Sequence, residues 1–406
     1  MDSDDAMTDR VDPARVIADL RELAALSTDR RGAQRVAFTE VWEKARAWLR
    51  AKLAELPVEV AEDGARNLWV TLAGGAEPAV AIGSHLDSVP DGGWLDGALG
   101  VLAGLEILRA AGPRPARSLV LVDWADEEGR FGHSLLGSSA STGTLDVEAL
   151  DVKVGAVLDL DGLRRAGQQR PRLHAYLELH IEQGPILESE GTALAVVAGT
   201  YGVRRARLRF GGQAAHAGAT PLAARRDPVL AAARFIVDAR RLAGERGGLA
   251  TVGVIEAEPA TPTAVARECG LVVDTRHARR DALVSLHSDL LDAAAAIAHE
   301  ERVTVEHEVV WSIDPIAFDR ELVALAGALL APAARRDPLT SGPLHDAAAM
   351  ARAGVPSVML FVRSLGGISH SPAEDSDPED LAAAVRALAE LTAAASTRFT
   401  PRSAPT

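Results

Sequence analysis

Apolar residues recur at helical spacing through the first stretch of the chain: Val16, Ile17, Leu20, Leu23 and Leu26, then Trp42, Ala45, Trp48, Leu49 and Leu53. That period gathers them into one stripe per helix and predicts two or more helices between Asp12 and about Leu56. Asp12 followed by Pro13 is a helix start, because the carboxylate can take an orphan amide and proline suits the first turn. The pattern then shortens. LWVTLAG, AVAIGSHLDSV and SLVLVDWADEE are apolar runs of strand length ending in small or polar residues. Between the last two, GALGVLAGLEILRAAG is a helix closed by Gly112 and Pro113. Continuous apolar strands alternating with helices predict an α/β fold with a central, mostly parallel sheet.

From about Gly202 the alternation changes to period two. VRRARLRFGG reads as a half-exposed strand, DPVLAAARFIVDARRLAG as a helix, ATVGVIEAEP and CGLVVDTRH as strands, DALVSLHSDLLDAAAAIAHEE as a helix and VTVEHEVVWSI as a strand. This order, strand-helix-strand-strand-helix-strand, predicts a ferredoxin-like α+β domain inserted into the larger one. The boundaries fall at residues 1–201 and 315–406 for the larger domain and 202–314 for the insert. After Pro315 the α/β character returns, with SVMLFV as a buried strand and DPEDLAAAVRALAELTAAAS as an amphipathic helix. The tail TPRSAPT is expected to be loose.

Composition narrows the function. A formal net charge of -14 over 406 residues removes the long-range attraction for phosphate backbones and anionic lipid. Neither nucleic acid nor a membrane surface is an expected partner. Cys269 is the single cysteine, so neither an intrachain disulfide nor a multi-cysteine zinc site can form. The acidic start lacks a basic region followed by an apolar stretch, and no apolar run approaches the ~20 residues that span a bilayer. The expectation is a cytoplasmic protein.

The charged clusters fall where open α/β sheets place their ligands, at the carboxyl ends of strands. In GSHLDSVPDGGWLDGALG, His85 and Asp87 flank one residue at a strand end, so one can ligate a metal while the other accepts the second imidazole N–H. Asp96 follows in a Gly-rich turn. In DWADEEGRFG, adjacent Glu127 and Glu128 repel each other unless cations neutralise them; a solvated acidic loop is the ordinary alternative. A division of labour fits, with Glu128 binding metal and Glu127 accepting a proton from water. His180 in LELHIEQGP and His370 in LGGISHSPAED complete a set of three histidines and several carboxylates suited to Zn, Mn, Co or Ni. His345 in SGPLHDAA either caps the helix beginning near Asp346 or faces the site. His133, His174, His277, His287, His299 and His307 lack such a setting and are expected to be structural.

In this order, GSHLDSVPDGGWLDGALGVLAGLE, EEGRFG, LELHIEQGP, GQAAHAGATP, RRDP, DTRH and GGISHSPAED resemble the N-carbamoyl-L-amino-acid hydrolase and allantoate amidohydrolase family, relatives of the metallo-aminoacylases and zinc exopeptidases. The resemblance spans nearly the whole chain. It implies a zinc-exopeptidase-like catalytic domain, with the insert as a lid that also forms a homodimer. It implies two divalent ions, one on His85, Asp96 and His180, the other on Asp96, Glu128 and His370. Asp87 would orient His85, Glu127 would be the base, and Gln183 would meet the substrate's polar end. His216 would stabilise an oxyanion, and Arg276 would clamp the carboxylate of a small-molecule substrate. The expected reaction is cleavage of a ureido bond; N-acyl or dipeptide hydrolysis and a non-catalytic metal-binding scaffold are the alternatives. Thr263 stands where relatives usually carry Asn, and Pro343 and Leu344 replace small residues beside His345. Both departures touch the substrate pocket and leave the ligand set intact.

Overall fold

The computed structural model describes residues 5–132, 134–150, 152–330 and 334–401, so His133 and most of the tail lie outside it. The chain forms two compact units, Met1–Gly199 with Ala317–Thr406, and Thr200–Ile316. In chain order the first unit supplies α1 (Pro13–Ser27), α2 (Glu40–Leu53), β1 (Glu59–Glu62), β2 (Leu68–Leu72), β3 (Ala79–His85), α3 (Ala98–Ala111), β4 (Leu119–Trp124), β5 (Leu173–Ile181) and β6 (Leu194–Thr200). The second unit holds β7 (Gly202–Gly211), α4 (Pro228–Arg246), β8 (Leu249–Glu258), β9 (Glu268–His277), α5 (Arg280–Glu301) and β10 (Thr304–Ile313). The chain then returns to the first unit through α6 (Asp346–Arg352), β11 (Ser357–Val362) and α7 (Pro378–Thr397).

Asp12 caps α1 as its sequence requires, its carboxylate accepting the amides of Ala14 and Arg15. The nine-stranded sheet runs β6-β11-β5-β3-β4-β2-β1, with Ile316–Ala317 and Leu339–Ser341 joined to β6. β11, β5, β3 and β4 are mutually parallel, and the flanking strands are antiparallel. Alternate residues of each central strand enter different cores. Val80, Ile82, Leu119, Leu121, Leu177 and Leu360 meet α1, α3 and α7; Ala81, Val120, Val122, Tyr176 and Met359 meet Ala347 and Met350 of α6. Burial on both faces explains why these strands read as unbroken apolar runs. Parallel register brings their carboxyl ends together, with His85 beside Trp124 and Phe361 beside His180.

The second unit is a four-stranded antiparallel sheet of order β8-β9-β7-β10. Ala206, Leu208, Phe210, Leu271 and Val273 bury against Phe235 of α4 and Leu290 of α5. Arg205, Arg207 and Arg209 fall on the opposite face, so the period-two pattern of VRRARLRF is the two faces of one sheet. Among the described residues no helix is long and apolar enough to cross a membrane.

Candidate metal centre

Each central parallel strand delivers a titratable group at or just beyond its carboxyl end: His85 from β3, Glu127 and Glu128 from the turn after β4, His180 from β5 and His370 from the loop after β11. Asp96 comes from the turn that leads into α3. Gly97 opens that helix at φ 64°, and a Cβ there would strike the His85 imidazole. A Cβ on Gly93 would likewise strike the Glu374 carboxylate. These two glycines let the turn close over its ligands.

Asp96 is the hub. Its Oδ1 lies 3.1 Å from His180 Nε2 and 3.7 Å from His85 Nε2, and its Oδ2 lies 3.1 Å from His370 Nε2. Glu128 Oε2 is 3.3 Å from His370 Nε2. Two ligand groups result, His85–Asp96–His180 and Asp96–Glu128–His370, each with its donor atoms within 4.8 Å of one another. Each group takes a different oxygen of the shared carboxylate. The first is fully buried; His370 is half-exposed.

The imidazoles show what this cluster suits. His85 Nδ1 sits 3.0 Å from the Asp87 carbonyl and His180 Nδ1 sits 2.9 Å from the Ile181 carbonyl, so Nδ1 carries the proton in each ring. Both Nε2 atoms are buried without a hydrogen-bond partner and face a carboxylate oxygen. A bare lone pair against a carboxylate is repulsive, so a proton or a cation must lie between them. Burial alone would hold His180 down, yet Asp96 lifts it to about 9, and Asp96 also lifts His370 to about 9. Burial dominates at His85, pushing it to about 4. Burial and neighbouring acids drive Glu128 up to about 7 and Glu127 well above the ordinary carboxylate range. This excess of buried negative charge and bare imidazole nitrogen fits divalent cations.

Glu127 belongs to neither ligand group. It is 8% exposed, and its Oε2 is 3.7 Å from His85 Nε2, beside the first group. Its next neighbours by charge are Asp346, Glu128, Asp87 and Asp96.

The geometry corrects one sequence expectation. The Asp87 carboxylate does not accept the His85 N–H; the Asp87 main-chain carbonyl does, and the carboxylate stands 3.7 Å away. The carboxylate is taken by the backbone amides of Glu127 and Glu128, at 3.3 and 3.2 Å, so Asp87 fixes the turn that carries both glutamates. Gln183 is turned toward the hub: its Nε2 donates to Asp96 Oδ2 at 2.9 Å and to Ser369 Oγ at 3.2 Å, and its buried Oε1 has no hydrogen-bond partner. Gln183, Asp126 and His370 all adopt positive φ (59°, 56° and 53°). Each costs roughly 1–2 kcal/mol for a residue with a Cβ, a concentration of strain typical of functional sites.

Sequence reading missed two buried supports. Arg35 is fully buried, its Nε donating to the Leu86 carbonyl at 2.8 Å and its NH1 to Ser27 Oγ at 3.2 Å. Burial pushes its guanidinium down, while Glu374, Asp96, Asp87 and Glu128 favour its charge. Nothing in RGAQRVAF marks it. Glu374 accepts the amides of Leu95 and Asp96 through Oε1, at 2.9 and 3.0 Å. Its place four residues after His370 in SHSPAED was the available signal.

His345 does not cap α6: its side chain makes no cap bond, and its ring centroid lies 4.4 Å from that of His180. His216, Thr263 and Arg276 belong to the second unit. There Ala215–His216 pairs with Ala264–Val265, and the Thr263 carbonyl accepts the Ala217 amide at 2.9 Å. His216 Nδ1 accepts the amides of Gly218 and Ala219, each at 3.1 Å, so Nε2 holds the ring proton and is a donor. Arg276 Nε donates to Asp274 Oδ1 at 2.8 Å, and Asp274 Oδ2 takes Arg205 at 2.8 Å. The described histidines expected to be structural stay out of the cluster. His174 and His277 bond backbone carbonyls of Phe399 and Arg246, each at 3.0 Å; His287 is buried, and His299 and His307 are exposed.

Residues 81–394 match the profile of Peptidase family M20/M25/M40. The chain belongs to this family. Among M20/M25/M40 relatives, it is 35% identical over 378 residues to an N-carbamoyl-L-amino acid amidohydrolase of Geobacillus stearothermophilus, covering 88% of this chain and 92% of that protein. It is 31% identical over 383 residues to an allantoate amidohydrolase of Escherichia coli K12, covering 88% and 92%. Its structure resembles that of a hydantoinase/carbamoylase family amidase from Burkholderia multivorans, with a TM-score of 0.85, 32% identity and coverage of 95% and 98%. With these M20/M25/M40 relatives comes the enzyme class, a metal-dependent hydrolase of carbon–nitrogen bonds other than peptide bonds.

Proposed function

We propose that the chain hydrolyses the ureido C–N bond of an N-carbamoyl-L-amino acid or an allantoate-like substrate, releasing an amine, carbon dioxide and ammonia. The observation that carries the reading is the pair of ligand groups sharing Asp96, with Glu127 buried beside the first and outside both. The activities named for the similar proteins supply the substrate class. His180, where peptidase relatives commonly carry a carboxylate, favours the carbamoyl branch.

His85, Asp96 and His180 would hold one divalent ion, and Asp96, Glu128 and His370 the other; zinc, manganese, cobalt and nickel all suit these ligands. Two such ions polarise a carbonyl and acidify water near neutral pH. Glu127 then takes the water proton on its carboxylate and returns it to the departing nitrogen. Asp87 keeps Glu127 and Glu128 in place through their amides. Gln183 steadies Asp96 and turns its unbonded oxygen toward a substrate N–H. From the second unit, His216 Nε2–H is a donor suited to an oxyanion, and Arg276, its plane set by Asp274, suits a substrate carboxylate.

Ammonia release by the metal-loaded protein from N-carbamoyl-L-amino acids and allantoate tests the reading. We expect release that needs added metal. Turnover of N-acetyl amino acids or dipeptides with no ammonia would move the chain to the acylase branch. Thr263 is what favours that second reading: its hydroxyl pairs with Thr261 Oγ1 at 3.3 Å and reaches less far than the usual Asn.

We also infer a cytoplasmic homodimer formed through the second unit. β8 is an edge strand whose Val254 and Ile255 are both exposed, and the adjoining α4 exposes Leu230 and Val237, the latter 70%. Such an edge invites strand pairing unless a partner covers it. Light scattering at micromolar concentration should give twice the 42.6 kDa chain mass; the chain mass itself would exclude the dimer.

A further inference from the structure

Ser341 and Pro343, which no step above uses, lie against His345. Ser341 ends the short strand Leu339–Ser341, and both Ser341 and His345 are buried. Ser341 Oγ lies 2.9 Å from the Pro343 carbonyl oxygen and 3.0 Å from His345 Nε2.

These two distances decide the hydrogens. Two oxygens 2.9 Å apart repel unless a hydrogen lies between them, and a carbonyl has none to give, so the Ser341 hydroxyl hydrogen points to Pro343. A hydroxyl has one hydrogen. Toward His345, Ser341 Oγ can therefore only accept, and Nε2 must carry the ring proton. His345 Nδ1 is left as a bare acceptor, without a hydrogen-bond partner among the described residues. The backbone next to His345 is anchored as well. Glu178, two residues before His180 on the same face of β5, accepts the Ala347 amide at 2.9 Å and so anchors the start of α6, which His345 precedes.

We propose that Ser341 is a positioning residue that locks His345 into the Nε2–H tautomer, so that the ring meets a bound substrate as an acceptor, for an N–H of a urea or amide, and never as a donor. The functional half of this rests on the hydrolysis proposed above; the tautomer half does not. Leu344 and Pro343 are compatible with the lock, because it uses only the main-chain carbonyl of Pro343.

The test combines one spectrum with two variants. In protein labelled with 15N at histidine, with the His345 signals identified by their loss in His345→Gln, the wild type should show Nε2 protonated and Nδ1 bare. Ser341→Ala should populate both tautomers and lower kcat/KM on an N-carbamoyl-L-amino acid by about tenfold or more, the usual scale for losing an orienting partner. Bound metal and circular dichroism should be unchanged. Ser341→Thr, which keeps the hydroxyl, should restore both tautomer and rate. A wild-type ring protonated at Nδ1 would overturn the proposal without any variant, which covers the case of an alanine variant that does not fold. So would a Thr variant as impaired as the Ala variant, or an Ala variant with the wild-type tautomer. A locked ring in a wild type that releases no ammonia from ureido substrates would count against the ureido reading alone.

Discussion

Glu127→Gln is expected to lower kcat by about 10²–10⁴-fold, the range that a positioned general base supplies, while bound metal stays at the wild-type level. Glutamine keeps the volume and the burial of the side chain and loses only the ability to take a proton. Both ligand groups omit Glu127, so neither ion loses a donor. The variant also removes one of several buried negative charges that raise one another, which should leave the fold at least as stable. Ammonia release and metal content measured on the same preparation separate the outcomes. A rate within tenfold of wild type, with metal bound, would take the base assignment away from Glu127.

Asp96→Asn should cost more. Each ligand group contains Asp96, one at Oδ1 and the other at Oδ2, so a single amide weakens both. If the two proposed ions bind, bound metal should fall to fewer than one per chain, with a loss in kcat/KM of about a thousandfold or more, equivalent to the several kcal/mol that ions contribute to such transition states. The variant should nonetheless fold. Its carbonyl oxygen can face Gln183 and Ser369, and its NH₂ can face the bare Nε2 of His180, satisfying groups that the wild type leaves to a cation. His370→Ala is the companion: it touches only the second group and should spare one ion. Two ions retained in Asp96→Asn would remove Asp96 from its bridging role.

How much of this was legible in the sequence depends on the kind of force involved. The strand ends carrying His85, Glu127, Glu128, His180 and His370 could be read because parallel strands buried on both faces are continuous apolar runs, and their termini are abrupt. The second unit could be read because Ala206, Leu208 and Phe210 alternate with Arg205, Arg207 and Arg209. Asp87 was misread because proximity in sequence to His85 suggested a side-chain partner. The backbone instead curls so that the Asp87 carbonyl reaches the ring and frees the carboxylate for two amides across on the β4 turn. Arg35 was invisible for a related reason, and Glu374 was passed over despite its place four residues after His370. Each works through main-chain groups of a distant loop, Leu86 for one and Leu95 with Asp96 for the other, and no local pattern encodes contacts between remote backbone segments.

The order of strands in the sheet also sets an order of assembly. β11 pairs with β5 across the whole inserted unit, so the centre of the catalytic sheet stays open on one side until nearly all of the chain has been made. The chain supplies His85, Asp96 and His180 by its midpoint but His370 only near its end. Both groups therefore depend on the sheet closing late: the buried group has all its donors in the first half of the chain, and the other waits for His370 alone to join Asp96 and Glu128.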